Sequence, residues 1–185
     1  MTRERRLGIL VPLAIFAITG AVFVPALQGQ FLNWDDFVNF PANPYYRGLG
    51  WTQIRWMFTA TLMGHYIPLT WMSLGFNFVL GGMNPWGYHL GNLLLHASNA
   101  TLVYLIARRL IAAIDGRAQE AGAGAALALA SAFSALLFGV HPLRVESVAW
   151  ITERRDVLCG FFFLLTVLAY LMSVEGDRGF RSPAR

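Results

Sequence analysis

The stretch YIPLTWMSLGFNFVL, residues 66–80, decides the topology of this chain. It is apolar, yet it is shorter than the roughly 20 residues that a bilayer crossing takes, and it holds Pro68, Gly75 and Asn77. It reads either as a membrane span or as a helix lodged at the membrane interface. Every residue after it changes sides with that choice.

The surroundings are those of a membrane protein. The chain has 185 residues, 56% of them hydrophobic, with a mean hydropathy of +0.51. That composition lies outside the range of ordinary soluble domains. Four further stretches are long enough to cross: residues 7–27, 87–107, 121–140 and 157–174. The first could be a signal peptide with TRERR as its basic flank. Its apolar run exceeds the usual 7–15 residues or so and no clear small-residue cleavage site follows, so it reads as an uncleaved anchor.

Arginine placement separates four spans from five. With TRERR in the cytoplasm and four spans, the inner segments carry Arg3, Arg5, Arg6, Arg108, Arg109, Arg117, Arg178, Arg181 and Arg185. Only Arg47, Arg55, Arg144, Arg154 and Arg155 lie outside. If residues 66–80 also cross, more arginines fall outside than inside. The four-span reading therefore fits better. It predicts an all-α polytopic membrane protein with about four transmembrane helices and short amphipathic helices on the outer face. Residues 1–174 form the membrane domain, with outer loops 28–86 and 141–156. Residues 115–126, DGRAQEAGAGAA, read as a small-residue hairpin turn, and residues 175–185 as a cytoplasmic tail.

This topology gathers the distinctive polar groups on the outer side: Asp35, Asp36, His65, His89, His141, Arg144, Glu146, Arg154, Arg155 and Asp156. The pair Asp35–Asp36 stands out in FLNWDDFVNF, residues 31–40. NWDDFVN can be an Asx-rich turn opening a helix. It can equally be a site in which one carboxylate accepts a proton while the other orients it, or in which the pair holds a divalent cation. In GVHPLRVESVAWITERRDVLCG, residues 139–160, a charge cluster sits at the membrane surface. It reads as a solvated, self-paired cluster, or as arginines placed to hold a lipid phosphate. VESVAWI suits an amphipathic interfacial helix with Trp150 at headgroup level. Arginine clusters that flank apolar spans have their explanation in topology, so no nucleic-acid partner is expected. The single Cys159 can form no internal disulfide.

The second span, GYHLGNLLLHASNATLVYLIARR, carries His89, Asn92, His96 and Asn99 on one helical stripe. Such groups in a membrane helix face protein or a wet cavity. For Asn92, His96 and Asn99 the reading is interhelical hydrogen bonding. His89, nearest the outer end, is the better site candidate. His89 and His96 are about 10 Å apart along the axis, too far for one metal ion.

Three segments in order carry a family resemblance: FLNWDDFVNFPANPYYRGLGW, then GHYIPLTWMSLGFNFVLGGMNPWGYHLGNLLLHASNA, then LLFGVHPLRVESVAWITERRDVLCGFFFLLTVLAYL. Together they resemble the membrane part of the transmembrane-and-tetratricopeptide-repeat O-mannosyltransferases and their bacterial relatives. More broadly the chain looks like the N-terminal third of a GT-C glycosyltransferase. The resemblance implies a multi-pass enzyme, expected in a bacterial inner membrane with its N-terminus cytoplasmic and its active site periplasmic. It would move a sugar from a polyprenyl-phosphate carrier, with inversion, to a hydroxyl on a protein or glycan. It implies catalytic roles for Asp35 and Asp36, with Asp35 favoured as base. His89, His141, Arg144, Glu146, Arg154 and Arg155 become candidates for holding the carrier phosphate. Relatives carry more spans and repeat helices, absent here, so the chain is expected to be cut short. The alternative is a non-catalytic membrane module that binds a lipid carrier or assembles with other subunits.

Overall fold

The computed structural model describes residues 3–114 and 123–180, and the side chains of residues 6–114 and 124–175. The described chain is all-helical: α1 (Arg3–Phe23), a 3-10 turn (Val24–Gln28), α2 (Asp35–Asn39), α3 (Trp51–Thr59), α4 (Pro68–Gly81), α5 (Pro85–Ile114), α6 (Ala123–Gly139), α7 (Arg144–Ala149), a second 3-10 turn (Ile151–Glu153) and α8 (Arg154–Phe180). Three segments are long and apolar enough to cross a membrane: Arg6–Gln28, Pro85–Ile114 and Ile151–Glu175. Helix α6 is a shorter fourth apolar helix of 17 residues. The protein is an all-α membrane protein. The expected hairpin at residues 115–126 and the start of the expected third span fall largely on residues outside the described ones. So do Arg117 and the tail beyond residue 180.

The chain divides into two compact units. Unit 1 comprises residues 1–21, 96–141 and 159–185, and unit 2 residues 22–95 and 142–158.

Unit 1 is built around the C-terminal part of α5. Ala100 and Tyr104 pack with Ile15 of α1 and Ala135 of α6, and Leu102 and Ile106 pack with Leu168 of α8. Small residues set the approach distances. A Cβ on Gly139 would lie 2.7 Å from Thr19 Oγ1 and 3.0 Å from Ala100 Cβ. His96 Nε2 lies 2.8 Å from the Gly139 carbonyl oxygen, which ties α5 to the end of α6. Helices α1, α6 and α8 turn Leu10, Leu13, Leu129, Phe133, Phe163 and Tyr170 outward. Outward apolar faces on long helices suit a hydrocarbon solvent rather than water.

Unit 2 has an aromatic core of Phe40, Tyr46, Met57, Trp71, Leu74, Tyr88 and Ile151. Phe40 and Tyr46 meet edge to face, their ring centroids 5.8 Å apart, and Trp56 and Trp71 likewise at 5.4 Å. The Tyr46 and Tyr88 hydroxyls are 3.0 Å apart, and Tyr88 donates on to the Gly82 carbonyl at 3.1 Å. Burial first, and the Tyr88 hydroxyl second, hold the Tyr46 phenol well above its ordinary pKa, so it stays neutral.

The decisive stretch is α4, 14 residues opened by Pro68 and closed by Gly82 at φ 58. At 1.5 Å per residue it is about 21 Å long, short of the roughly 30 Å hydrocarbon core. It packs against α3. After the Gly82 stop, Asn84 accepts a hydrogen bond from Trp86 N at 3.1 Å and caps α5, which Pro85 opens. In VESVAWI the helix is only α7, with Val148 and Ile151 fully buried and Val145 and Glu146 exposed. The following 3-10 turn leads straight into α8, whose first turn carries Arg154, Arg155 and Asp156.

Gly75 makes the close packing of α4 possible. A Cβ there would fall 2.8 Å from Gly48 O and 2.9 Å from Tyr46 O, both backbone atoms that cannot swing aside. Gly75→Ala is expected to destabilise the protein by about 1–3 kcal/mol, read by thermal unfolding in detergent. Gly81→Ala, on the same helix with nothing within 4 Å, should leave the midpoint unchanged or slightly raised.

Candidate functional site

The two acids of NWDDFVN open α2, a five-residue helix, and their side chains part company. Asp36 is fully buried. Its Oδ1 accepts from Thr152 N at 3.0 Å and from Thr152 Oγ1 at 2.6 Å, and its Oδ2 accepts from Leu32 N at 3.0 Å. Asn39 Nδ2 donates to the same Thr152 hydroxyl at 3.2 Å. One carboxylate thus fixes α2 to the second 3-10 turn, 116 residues away in sequence. Asp36 organises the turn, and Asp35 is left half-buried on a different side.

Asp35 borders a cavity of about 60 Å³. Its polar walls are Asp35, Asn39, His65, Thr70, Thr152 and Arg155, over an apolar floor of Phe40, Trp71 and Leu74. Arg155 Nη2 bonds Glu153 Oε1 at 2.6 Å. His65 reaches the cavity from a two-residue hairpin: Leu62 N donates to His65 O at 3.1 Å and His65 N to Leu62 O at 2.9 Å. The loop residues Met63 and Gly64 have φ of 50° and 79°. Glycine adopts that region freely, whereas a methionine there stores roughly 1–3 kcal/mol of strain. A wider apolar groove of about 360 Å³ is lined by Leu32, Asn33, Trp34 and Trp150.

Arg154 occupies a different place from its neighbour. It is 2% exposed, and among the described residues it has no carboxylate partner. Its Nε donates to Asn92 Oδ1, its Nη2 to the Tyr88 carbonyl at 2.7 Å, and its Nη1 reaches Ser73 Oγ at 3.4 Å. Asn92 in turn donates to the carbonyls of Val148 at 3.3 Å and Trp150 at 3.0 Å. The guanidinium joins α4, α5 and α8 within unit 2 by neutral acceptors alone. Its charge is held by hydrogen bonds instead of an ion pair, an arrangement that is costly to break.

The remaining candidates scatter. His89 is 2% exposed and borders no part of the cavity; its ring lies against the backbone of Gly29 and Gln30. A Cβ on Gly29 would come within 2.7 Å of its Nε2, so Gly29 is what admits the ring. Arg144 and Glu146 lie on α7, half-buried and exposed respectively, and His141 is an exposed residue at the end of a segment of unit 1. Among the described residues no three His, Cys, Asp or Glu side chains converge as metal ligands. Among the described residues on the cavity wall, His65 is the one His, Cys, Asp or Glu side chain beside Asp35. Sequence reasoning missed Thr152, Asn39 and Gly91.

Gly91 is one turn-face neighbour of the Arg154 clamp. A Cβ there would lie 2.8 Å from Arg154 Cζ and 3.0 Å from Nη1. Because three acceptors pin that guanidinium, Gly91→Ala is expected to cost about 1–3 kcal/mol. Gly87→Ala, in the same helix with open space around it, should be neutral. Thermal unfolding of the two variants side by side checks this.

Comparison with known proteins gives the same direction as the motifs. Over 114 residues, 60% of this chain, it is 38% identical to protein O-mannosyl-transferase TMTC4 of Mus musculus. Over 128 residues, 65% of the chain, it is 37% identical to protein O-mannosyl-transferase TMTC2 of Homo sapiens. Over 120 residues it is 39% identical to protein O-mannosyl-transferase Tmtc3 of Drosophila melanogaster. The matches cover 15%, 14% and 13% of those relatives, so the chain spans only about one seventh of their length. No protein-family model and no solved structure matches. Over roughly three fifths of its length, this chain is similar to a segment of these protein O-mannosyl-transferases.

Proposed function

We propose that this chain is the acidic-loop portion of a GT-C type membrane glycosyltransferase, and that the cavity beside Asp35 is where the acceptor hydroxyl meets the sugar donor. The observation that carries the reading is the division of labour within the acidic pair. Asp36 spends its oxygens on Thr152 and Leu32, while Asp35 borders a polar cavity with Arg155. Relatives named as O-mannosyl-transferases make mannose the first sugar to test and a protein hydroxyl the first acceptor.

The reaction follows from those positions. The acceptor oxygen attacks the anomeric carbon as the bond from that carbon to the carrier phosphate breaks. The phosphate leaves with the electron pair, and Asp35 takes the hydroxyl proton as general base. Arg155 faces the departing phosphate and stabilises its charge. An isoprenoid chain suits the apolar groove of Leu32, Trp34 and Trp150, adjacent in sequence to both acids and to Thr152. Arg154, enclosed by Asn92, Tyr88 and Ser73, shapes the site without touching the carrier. In this proposal the N-terminus is cytoplasmic and the cavity opens on the periplasmic side of a bacterial inner membrane. His89, His141, Arg144 and Glu146 keep at most supporting roles toward the carrier.

The alternative, a non-catalytic membrane module, draws on one observation. Asp36, Asn92, His96 and Arg154 all spend their polar atoms on the protein itself. Asp35→Asn separates the two. Asparagine keeps the size and the hydrogen-bonding capacity but removes the proton acceptor. In the intact protein, transfer from a polyprenyl-phosphate mannose should fall at least about 100-fold with thermal stability unchanged. Unchanged transfer would remove the base, and with it the enzymatic reading of this cavity.

A further inference from the structure

We propose that a cleft in unit 1, between the C-terminal ends of α5 and α8 and the start of α6, binds the phosphate headgroup of an anionic phospholipid from the adjoining leaflet. The inference draws on the membrane character of the chain and not on the glycosyltransferase reading. The cleft has a volume of about 610 Å³. Leu105, Arg108, Arg109 and Ala112 line it from one face of α5, Leu127 from α6 and Glu175 from α8. Glu175 ends the apolar segment Ile151–Glu175, and both arginines stand near the end of Pro85–Ile114. At 1.5 Å per residue the 30 residues of α5 are about 45 Å long, against roughly 30 Å of hydrocarbon. The end of α5 therefore stands at headgroup depth, where lipid phosphates lie.

The charged groups on this wall are two arginines and one acid, a surplus of one positive charge. A phosphodiester headgroup with one negative charge balances it, whereas a zwitterionic headgroup leaves it standing. The acid holds Arg109 loosely: Nε lies 3.5 Å from Glu175 Oε2, and Nη1 donates to the Leu105 carbonyl at 3.3 Å. The Nε is buried without a hydrogen bond among the described residues. Contacts to a guanidinium settle closer, at about 2.7–2.9 Å, when an anionic oxygen accepts them, and the forked donors of arginine suit a phosphate. Leu105, one turn deeper in α5 than Arg109, and Leu127 give the cleft an apolar floor toward the hydrocarbon, where acyl chains begin. Topology accounts for arginines at a helix end. It does not account for a cleft between three helices that Ala112 keeps open, and basic pockets of this kind between membrane helices take anionic headgroups.

The test is thermal unfolding of the intact protein in detergent, titrated with phosphatidylglycerol, phosphatidylcholine or inorganic phosphate, so that the midpoint reports affinity. Phosphatidylglycerol should raise the midpoint where the other two do not. Arg108→Gln combined with Arg109→Gln should weaken phosphatidylglycerol about 10-fold or more. Arg108→Gln alone leaves the Arg109–Glu175 pair in place and should weaken it about 3-fold or more, which keeps the test open even where the double variant does not fold. Glu175→Gln removes the competing acid and should bind phosphatidylglycerol at least as tightly as the parent. Unchanged affinity in Arg108→Gln would mark the arginines as topology signals only and overturn the proposal. Equal shifts from phosphatidylcholine would make this a site for acyl chains, and equal shifts from inorganic phosphate a site for a free anion; either result overturns the anionic lipid.

Discussion

The bond from Thr152 to the Asp36 carboxylate is the constraint on which the candidate site depends. It is short, at 2.6 Å from the hydroxyl, doubled by the Thr152 backbone N–H, and buried. A buried carboxylate is tolerable only when donors satisfy it, and here three do. The bond joins α2, which is too short to hold its own shape, to the turn that starts α8. With Asp36 turned inward, the half-buried Asp35 is free to border the cavity. Loss of the anchor would release Asp35, Arg155 and the cavity wall together.

A second buried polar cluster in unit 2 solves a different problem. Arg154 brings a positive charge into the packed interior, and Asn92, Tyr88 and Ser73 supply the acceptors. Gly91 leaves the room, and Asn92 also donates to the carbonyls of Val148 and Trp150 at the end of α7. Adjacent arginines therefore do separate jobs: Arg154 holds helices, and Arg155 meets the cavity. The same split of roles runs through Asp35 and Asp36. In each pair, one member's hydrogen bonds fix the backbone that presents the other.

The helical, membrane-bound character was legible because apolar length and arginine placement act locally along the chain. The shortness of the helix over residues 66–80 was legible too: Pro68 opens α4 and Gly82 closes it after 14 residues. Asn92 and His96 were legible as interhelical bonds from their stripe on α5, and both make them. VESVAWI forms only the six-residue α7 and the turn after it, with Val148 and Ile151 buried and Val145 and Glu146 exposed. Its period allows an amphipathic face, but period alone does not say whether that face meets lipid or the core residues that bury Val148 and Ile151. Which member of each adjacent pair is buried, Asp36 beside Asp35 and Arg154 beside Arg155, was not legible for a related reason. Adjacent residues on a helix point about 100° apart, and the partner that distinguishes them, Thr152 or Asn92, is distant in sequence. Nothing in TERRD marks Thr152 as the acceptor's counterpart.

Asp36 and Thr152 are directly coupled, and a double-mutant cycle measures the coupling. Asp36→Asn, Thr152→Val and the double variant are compared by chemical or thermal unfolding in the same detergent. The predicted result is a coupling energy of about 1–2 kcal/mol, because the second substitution has less to remove once the first is made. Additive losses, within about 0.3–0.5 kcal/mol, would contradict the account and leave the acidic loop held by something other than this carboxylate.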